Sequence, residues 1–477
     1  MTGTLTLIQQ NDTHAQLELH WEHFWHAGQA EYRRVGGLAR AATVVRAIRE
    51  ETGAALLIDC GDAIHGTLPA MRTEGQAVVP ALNALGVDLM TPGNWEYGFG
   101  PAALHARVAE MNFPMIACNL QDALSGERLF EPSLVREVGG VRVGFVGLTS
   151  PIIPKMSPRF ASGLRFPDPL ETLPRCVAKL RHQEGADLVV LVSHLGFAQD
   201  VALAHAVGGL DVILSGHTHN RLERPVQVGR TLIIQSGFSG SFLGRLDLDV
   251  QRGVLVGHRH QLITLEETIP PDPEVQAAVD LALAPFRIEM NEVVGHTTTA
   301  LHRMGLLETT MDNLITDAYV RLTGAEVAVS HGWRFAPPVP AGPVTVGDLW
   351  AMVPTNPEVF TAQLSGRELL ELLESNMHGV LADDASEQAG GYLLRTSGLS
   401  VVFRPNNGRG TRTERLEIDG TAVDLDRDYT VATAGGQDLK MARNRQGSGV
   451  SAVDALRRYL QGAPVSPDLT HRKFIAQ

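Results

Sequence analysis

Five short segments constrain this chain more than any other feature. Asp12-Thr13-His14, Gly61-Asp62, Gly93-Asn94, Ser193-His194 and Gly216-His217-Thr218-His219 each set acidic, amide or imidazole groups just after an apolar, strand-like run. Such runs include Thr4–Gln9, Ala55–Ile58, Leu188–Val192 and Val212–Leu214, with helical patterns such as Gly37–Glu51 and Ala77–Leu85 between them. Alternating strand and helix signals predict layered α/β packing. Strand C-termini in an α/β sheet converge on one crevice, so residues far apart in the chain can meet there.

The seven side chains are two Asp, one Asn and four His. All are nitrogen or oxygen donors, which suits Mn²⁺, Zn²⁺ or Fe rather than a soft-metal site. Seven ligands exceed one tetrahedral ion and fit two ions sharing a carboxylate. Two metals about 3.5–4 Å apart form the usual clamp for hydrolysing phosphate esters. Each segment alone reads equally well as a hydrogen-bonded strand end or a turn; the five together point to a dimetal centre. Cys60, Cys118 and Cys176 stand at wide spacing, which excludes a thiolate zinc knuckle and a disulfide framework.

The remaining composition narrows the partners. The net charge of −13 argues against a nucleic-acid duplex, which needs a basic face. Small anionic substrates stay open, because bound cations supply local positive charge. No apolar run reaches the roughly 18 residues of a membrane span. No basic leader with a cleavage site is visible, so the location reads as cytoplasmic as the sequence stands, and as periplasmic or extracellular if a signal segment was trimmed. The sequence does not set the oligomeric state.

A chain of 477 residues predicts two to three domains. The stretch from Thr231 to Leu265 is strand-rich. Pro270-Pro271-Asp272-Pro273 then reads as a linker, and Glu274–Asn291 as a connecting helix. A second block follows from Val293, with a helix over Asp312–Val320 and turns such as Pro405-Asn406-Asn407-Gly408. The expected domains are 1–266, a linker and helix over 267–291, and 292–477. His20-Trp21-Glu22-His23-Phe24-Trp25-His26 is read as a packed surface loop, with a lid over the site as the alternative.

The set resembles the calcineurin-like metallophosphoesterases, in particular the two-domain 5′-nucleotidase family, over nearly the whole chain. Val35-Gly36-Gly37-Leu38-Ala39-Arg40 looks like that family's first helix. Asp312-Asn313-Leu314-Ile315-Thr316-Asp317-Ala318 looks like the start of its C-terminal domain. Gly332-Trp333-Arg334, Pro343-Val344-Thr345 with Asp348-Leu349, and Leu364-Ser365-Gly366-Arg367-Glu368-Leu369 extend the likeness.

The resemblance implies an α/β protein: an N-terminal four-layer α/β/β/α metallophosphoesterase domain and a smaller α+β C-terminal domain. It implies two divalent ions, Mn²⁺ first, with Zn²⁺ or Fe as alternatives. Asp12, His14 and His219 would hold one ion, Asp62 would bridge, and Asn94, His194 and His217 would hold the other. Arg334 matches a substrate-contacting arginine and Tyr392 one of two aromatics that sandwich a nucleobase. The implied reaction is attack of metal-generated hydroxide on the phosphorus of a nucleotide, as a 5′-nucleotidase or a 2′,3′-cyclic phosphodiesterase, in a site between the domains.

Two departures bear on substrate. The family's Gly-Asn-His-Glu/Asp motif, with an Asp soon after, reads here Gly93-Asn94-Trp95-Glu96-Tyr97-Gly98, so both members of the family's proton-handling dyad are missing. Thr355, in Pro354-Thr355-Asn356-Pro357, stands where the family has the second stacking aromatic. The Trp variant is similar to the thiosulfohydrolase branch of bacterial sulfur oxidation, which gives an alternative function. A third reading is a metal- and nucleotide-binding protein with weakened chemistry. Trp95 becomes a candidate substrate contact. His65, three residues past Asp62, is a candidate replacement acid or anion contact, or else a histidine behind the site.

Overall fold

The strand Leu188–Ser193 has no polar face. Leu188, Val190 and Val192 enter one apolar cluster, and Val189 and Leu191 enter another. Successive side chains of a strand point to opposite faces, so a strand apolar from Leu188 through Val192 must be covered on both sides. In the computed structural model, which describes residues 2–435, 439, 441–467, 469 and 474–476, it is.

Leu188–Ser193 lies inside a six-stranded sheet ordered Val226–Val228, Thr231–Ile234, Val212–Ser215, Leu188–Ser193, Val141–Leu148, Ser133–Val138. A five-stranded sheet runs Val254–Thr264, Phe242–Gln251, Thr2–Gln10, Ala55–Asp59, Leu89–Met90. The first cluster fills the space between the sheets: Leu5, Leu7, Ile58 and Leu246 from one meet Val143, Phe145, Val190 and Leu214 from the other. The helix Pro169–His182 covers the far face of the six-stranded sheet through Leu173, Val177 and Leu180. Helices Leu38–Thr52, Val79–Leu85 and Pro273–Leu283 pack together on the five-stranded side. The result is the four-layer α/β/β/α order expected.

The chain divides into two units, 1–20 with 34–285, and 21–33 with 286–477. The boundaries differ from those expected, for two local reasons. Pro285 interrupts the connecting helix: it ends at Leu283 and a short helix resumes at Arg287–Met290. The first piece packs on Leu38–Thr52 and Val79–Leu85 and so joins the first unit. The aromatic and histidine-rich segment is not a loop but the strand His20–His26, paired with Gln29–Val35 through a two-residue turn at Ala27 (φ 50°) and Gly28 (φ 80°). Left-handed backbone at both turn residues is what a tight hairpin requires. Its His23 ring stacks on His302, with centroids 5.2 Å apart, so the ribbon belongs with the second unit.

The second unit holds a five-stranded sheet ordered Tyr392–Ser397, Val327–Gly332, Asp428–Ala434, Glu358–Ser365, Arg443–Ser451. The motifs that carried the resemblance have physical roles here. Thr345 with Asp348, and Ser365 with Glu368, are capping boxes that start the helices Val346–Met352 and Gly366–Leu381. Asp312 is fully buried between Arg303 and Arg395, 3.0 Å from each guanidinium. Among the described residues no helix is long and apolar enough to cross a membrane.

Phe145 is fully buried between the two sheets, whereas Leu124 is 96% exposed. Phe145→Ala is therefore expected to cost about 3–5 kcal/mol in urea unfolding followed by tryptophan fluorescence. Leu124→Ala is expected to stay within about 0.5 kcal/mol of the parent.

Candidate metal centre

Every sequence-derived ligand follows the C-terminal end of a strand, and the strands come from both sheets. Asp12 and His14 follow Thr2–Gln10, Asp62 follows Ala55–Asp59, and Asn94 follows Leu89–Met90. These three strands are neighbours and parallel. His194 follows Leu188–Ser193, and His217 and His219 follow Val212–Ser215, a parallel pair in the other sheet. The crevice thus lies at one end of the two-sheet stack rather than along a single sheet.

The backbone bends sharply to present these groups. Asp12 (φ 52°), His14 (47°), Asp62 (57°), His217 (71°) and His219 (60°) are all left-handed, five of the seven ligands. Such conformations cost roughly 1 kcal/mol or more each for residues with a Cβ, and persist where the surroundings over-determine them. Here the N–H groups of Asp12 and His14 donate to the carbonyls of Gly61 and Asp62, at 2.9 and 2.8 Å, and Ser239 N–H donates to the Asp12 carbonyl at 2.7 Å.

Two clusters result. Asp12, His14 and His219 form one and Asp62, His194 and His217 the other, the ligand atoms in each lying within 4.8 Å of one another. Asn94 Oδ1 completes the second, 2.8 Å from His217 Nδ1 and 3.2 Å from His194 Nε2. His14 Nε2 and His219 Nε2 face each other at 3.1 Å. Asp12 Oδ1 is buried without a well-aligned hydrogen bond, with His219 Nε2 3.3 Å and His194 Nε2 3.8 Å away. Converging imidazole nitrogens beside an unsatisfied buried carboxylate oxygen fit cations, two of them by the donor count.

The charges agree. Burial alone would raise the Asp12 and Asp62 carboxyls, but the neighbouring histidines, His219 and His194 above all, hold both below the usual range. Burial would depress His194, yet Asp62 and Asp12 push it up to about 10. His14 goes down to about 4 through burial. Two ionised carboxylates thus stabilise positive charge at this spot, as residues that would hold cations must.

A set of residues not singled out from the sequence orients the ligands. His194 Nδ1 donates to the Cys60 carbonyl at 2.6 Å, which turns Nε2 toward Asp62. Asn11 Nδ2 donates to Asp12 Oδ2 at 2.7 Å, and Gln9 Nε2 to the Ser215 carbonyl at 2.8 Å. Gln235 Nε2 donates to the Gly216 carbonyl at 2.7 Å while its Oε1 accepts from Thr218 Oγ1 at 3.1 Å, fixing the His217–His219 turn. Phe238 stacks on His219 with centroids 4.9 Å apart. The signal was present as Gln9-Gln10-Asn11, three amides closing an apolar strand.

The altered turn is a built structure. Trp95 is 8% exposed and stacks on His65, centroids 4.3 Å apart and planes 19° from parallel, with Phe160 edge-on at 6.3 Å. His65 is buried, and burial with the nearby His14 pushes it down to about 3. A Cβ placed on Gly98 would come within 2.9 Å of His65 Cδ2. His65 therefore fills the space that the family's Asp at this position would need, and Trp95 covers it. The two departures from the family motif, at 95 and 98, thus pack against one histidine.

In the second unit, Gly332 and Tyr392 are register partners on adjacent strands, which brings Trp333, Arg334 and Tyr392 to one end of that sheet. Trp333 stacks on Phe335 with centroids 5.2 Å apart, and the Arg395 guanidinium lies 5.3 Å from the Tyr392 ring centre.

Residues 5–221 match the calcineurin-like phosphoesterase domain, and residues 293–437 match the 5′-nucleotidase C-terminal domain. The chain is a two-domain protein of that family, a metal-dependent hydrolase of the phosphoesterase type. Among solved structures it is similar to the Thermus thermophilus sulfate thiohydrolase SoxB, with 26% identity, TM-score 0.92, and 99% of this chain and 97% of that one covered. It is also similar to a 5′-nucleotidase precursor from Thermus thermophilus, with 27% identity, TM-score 0.87 and 99% of both chains covered. The trifunctional nucleotide phosphoesterase YfkN of Bacillus subtilis is 27% identical over 481 residues, which is 90% of this chain but 31% of that protein.

The two clusters are expected to lose ions separately. In calorimetric titration of chelator-stripped protein with Mn²⁺, Asn94→Ala should abolish one of two binding events. His219→Ala should abolish the other. Loss of both events together in either folded variant would contradict the assignment.

Proposed function

We propose that the chain hydrolyses phosphoesters of nucleotides and related compounds. The observation that carries this reading is the convergence of seven nitrogen and oxygen donors into two adjoining clusters at one end of the sandwich. Asp12, His14 and His219 are assigned to the first ion, Asn94, His194 and His217 to the second, and Asp62 to both. Mn²⁺ is the first choice, with Zn²⁺ or Fe as alternatives, since this donor set accepts each. When bound, the pair supplies Lewis-acid charge for the phosphoryl oxygens and a nucleophile at neutral pH.

The chain's own residues set which ester reacts. No side chain of the turn from Gly93 to Gly98 is free to protonate a departing oxygen. The Trp95 indole donates a hydrogen bond but is no acid at neutral pH. The Glu96 oxygens are taken by backbone N–H groups, and the Tyr97 hydroxyl donates to Thr149 Oγ1 at 3.3 Å. A buried His65, neutral at working pH, suits the stacked wall behind Trp95 better than the role of replacement acid. Leaving groups that depart without a proton are therefore favoured: cyclic phosphodiesters, aryl phosphates and phosphoanhydrides. In the second unit, Arg334 is assigned to the substrate's polar part and Tyr392 to a base face. Trp333, beside Tyr392, offers the aromatic surface that Thr355 lacks.

A second reading is hydrolysis of a thiosulfonate. Trp95 and the close backbone likeness to the sulfate thiohydrolase favour it. Both readings share the metals and differ in the atom attacked.

General-acid assistance is worth about 10²–10⁴-fold. With the dyad missing, kcat/KM for p-nitrophenyl phosphate is expected to exceed that for AMP by about 10²-fold or more. Equal values would contradict the leaving-group argument, and sulfate release from a cysteine S-thiosulfonate with every phosphate silent would favour the second reading. Tyr392→Ala is expected to weaken nucleotide binding by about 1–3 kcal/mol, read as KM, without changing KM for the aryl phosphate.

A further inference from the structure

The segments carrying Asp62 and Asn94 touch backbone to backbone. A Cβ on Gly93 would lie 2.2 Å from Asp62 Oδ1, and one on Gly61 would lie 2.3 Å from Gly93 N. Only glycine lets the two turns approach this closely. Bare backbone contact does not fix a register, so something must lock the turns together.

Glu96 is the group in place to do so. Its side chain is fully buried. Oε2 accepts from Asp62 N–H at 2.8 Å and from Gly93 N–H at 2.7 Å, and Oε1 accepts from Ala63 N–H at 2.7 Å. Ile64 N–H lies 3.4 Å from the same Oε1. The lock is reciprocal, because Trp95 N–H donates to Asp62 Oδ1 at 2.7 Å. That bond leaves Asp62 Oδ2 pointing toward His194 Nε2, 3.3 Å away. Glu96 and Asp62 thus exchange hydrogen bonds between their turns as the two partners of a capping box do.

We propose that Glu96 is a positioning residue that sets Asp62 against Asn94 and so determines the affinity of the Asp62/Asn94/His194/His217 ion site. It contacts both turns that carry these ligands and contributes no donor of its own to either cluster. The Asp12 and His14 turn makes no bond to Glu96: Asn11 and Ser239 hold it directly, and it rests on the Gly61–Asp62 turn only through that turn's carbonyls. Asp62 is assigned to both ions but Asn94 to this one alone, so loss of the Glu96 lock falls mainly on the Asp62/Asn94/His194/His217 site. Gln is the informative replacement. It keeps the size, but one acceptor oxygen becomes an N–H₂ group facing backbone N–H donors. The proposal rests on the dimetal reading above.

The test is titration of chelator-stripped full-length protein with Mn²⁺ by calorimetry, comparing the native chain with Glu96→Gln. Far-UV circular dichroism and the thermal midpoint without metal verify folding. The native chain is expected to take up two ions. The Gln variant is expected to lose about 10–100-fold in one affinity, the usual range for groups that orient metal ligands, and clearly less in the other. Asn94→Ala, which removes a ligand of the same site, identifies the weakened event. If the Gln variant does not fold, Glu96→Asp replaces it. Asp keeps both oxygens on an arm too short to reach both turns, and the same selective loss is expected. Unchanged affinities, or equal loss at both sites in a folded variant, would overturn the role of Glu96. A native chain that binds fewer than two ions would instead overturn the dimetal reading beneath it.

Discussion

Two carboxylates, Asp12 and Asp62, are held ionised in a buried site by the imidazoles around them, and the rest of the first unit is arranged to make this tolerable. A buried charge is costly unless it is paired and hydrogen-bonded. Here each carboxylate keeps one oxygen for protein N–H groups and turns the other toward histidine nitrogens. The arrangement stabilises positive charge at a defined place. That is the property a phosphoester hydrolase needs in a chain whose overall charge repels anions.

The sandwich supplies the rigidity. Strands buried on both faces position the turns, and amides at strand ends, Gln9, Asn11 and Gln235, fix the direction in which each turn leaves. Left-handed backbone at five ligands is the local cost of aiming side chains from two separate sheets into one crevice. A site assembled this way depends on each turn being held by its neighbour, and glycine at 61 and 93 allows that closeness.

Much of this was legible in the sequence, because the ligand types recur at strand ends. A polar cluster after an apolar run is a local signal, and the strands Leu188–Ser193 and Val212–Ser215 extend the runs read from sequence by one residue. Other features depend on long-range pairing and gave no local signal. That the ligands come from two facing sheets rather than one is fixed by the Leu7, Phe145 and Val190 packing, which has no sequence neighbourhood. The ribbon from His20 read as a loop because its Ala27-Gly28 turn lacks the usual Asn-Gly pair, and its partner surface around His302 lies far along the chain. Pro285 was a visible helix breaker inside the stretch read as one connecting helix. The link between His65 and Gly98 is purely spatial, so the departures at 95 and 98 became intelligible only with the stacked rings in place.

The replacement of a proton-handling dyad by Trp95 and Gly98, with His65 packed against both, leaves the candidate metal ligands intact. On the proposed function, two tasks are thereby separated: activation of the attacking oxygen, assigned to the retained ligand set, and assistance to the leaving oxygen, for which this turn offers no acid. The most direct measurement is the rate of bis-p-nitrophenyl phosphate hydrolysis by chelator-stripped protein as Mn²⁺ is restored in measured equivalents. A dimetal hydrolase of this kind shows no turnover when stripped and a rise that levels off at two equivalents per chain. Undiminished hydrolysis without metal, or silence at every equivalent, would contradict the assignment.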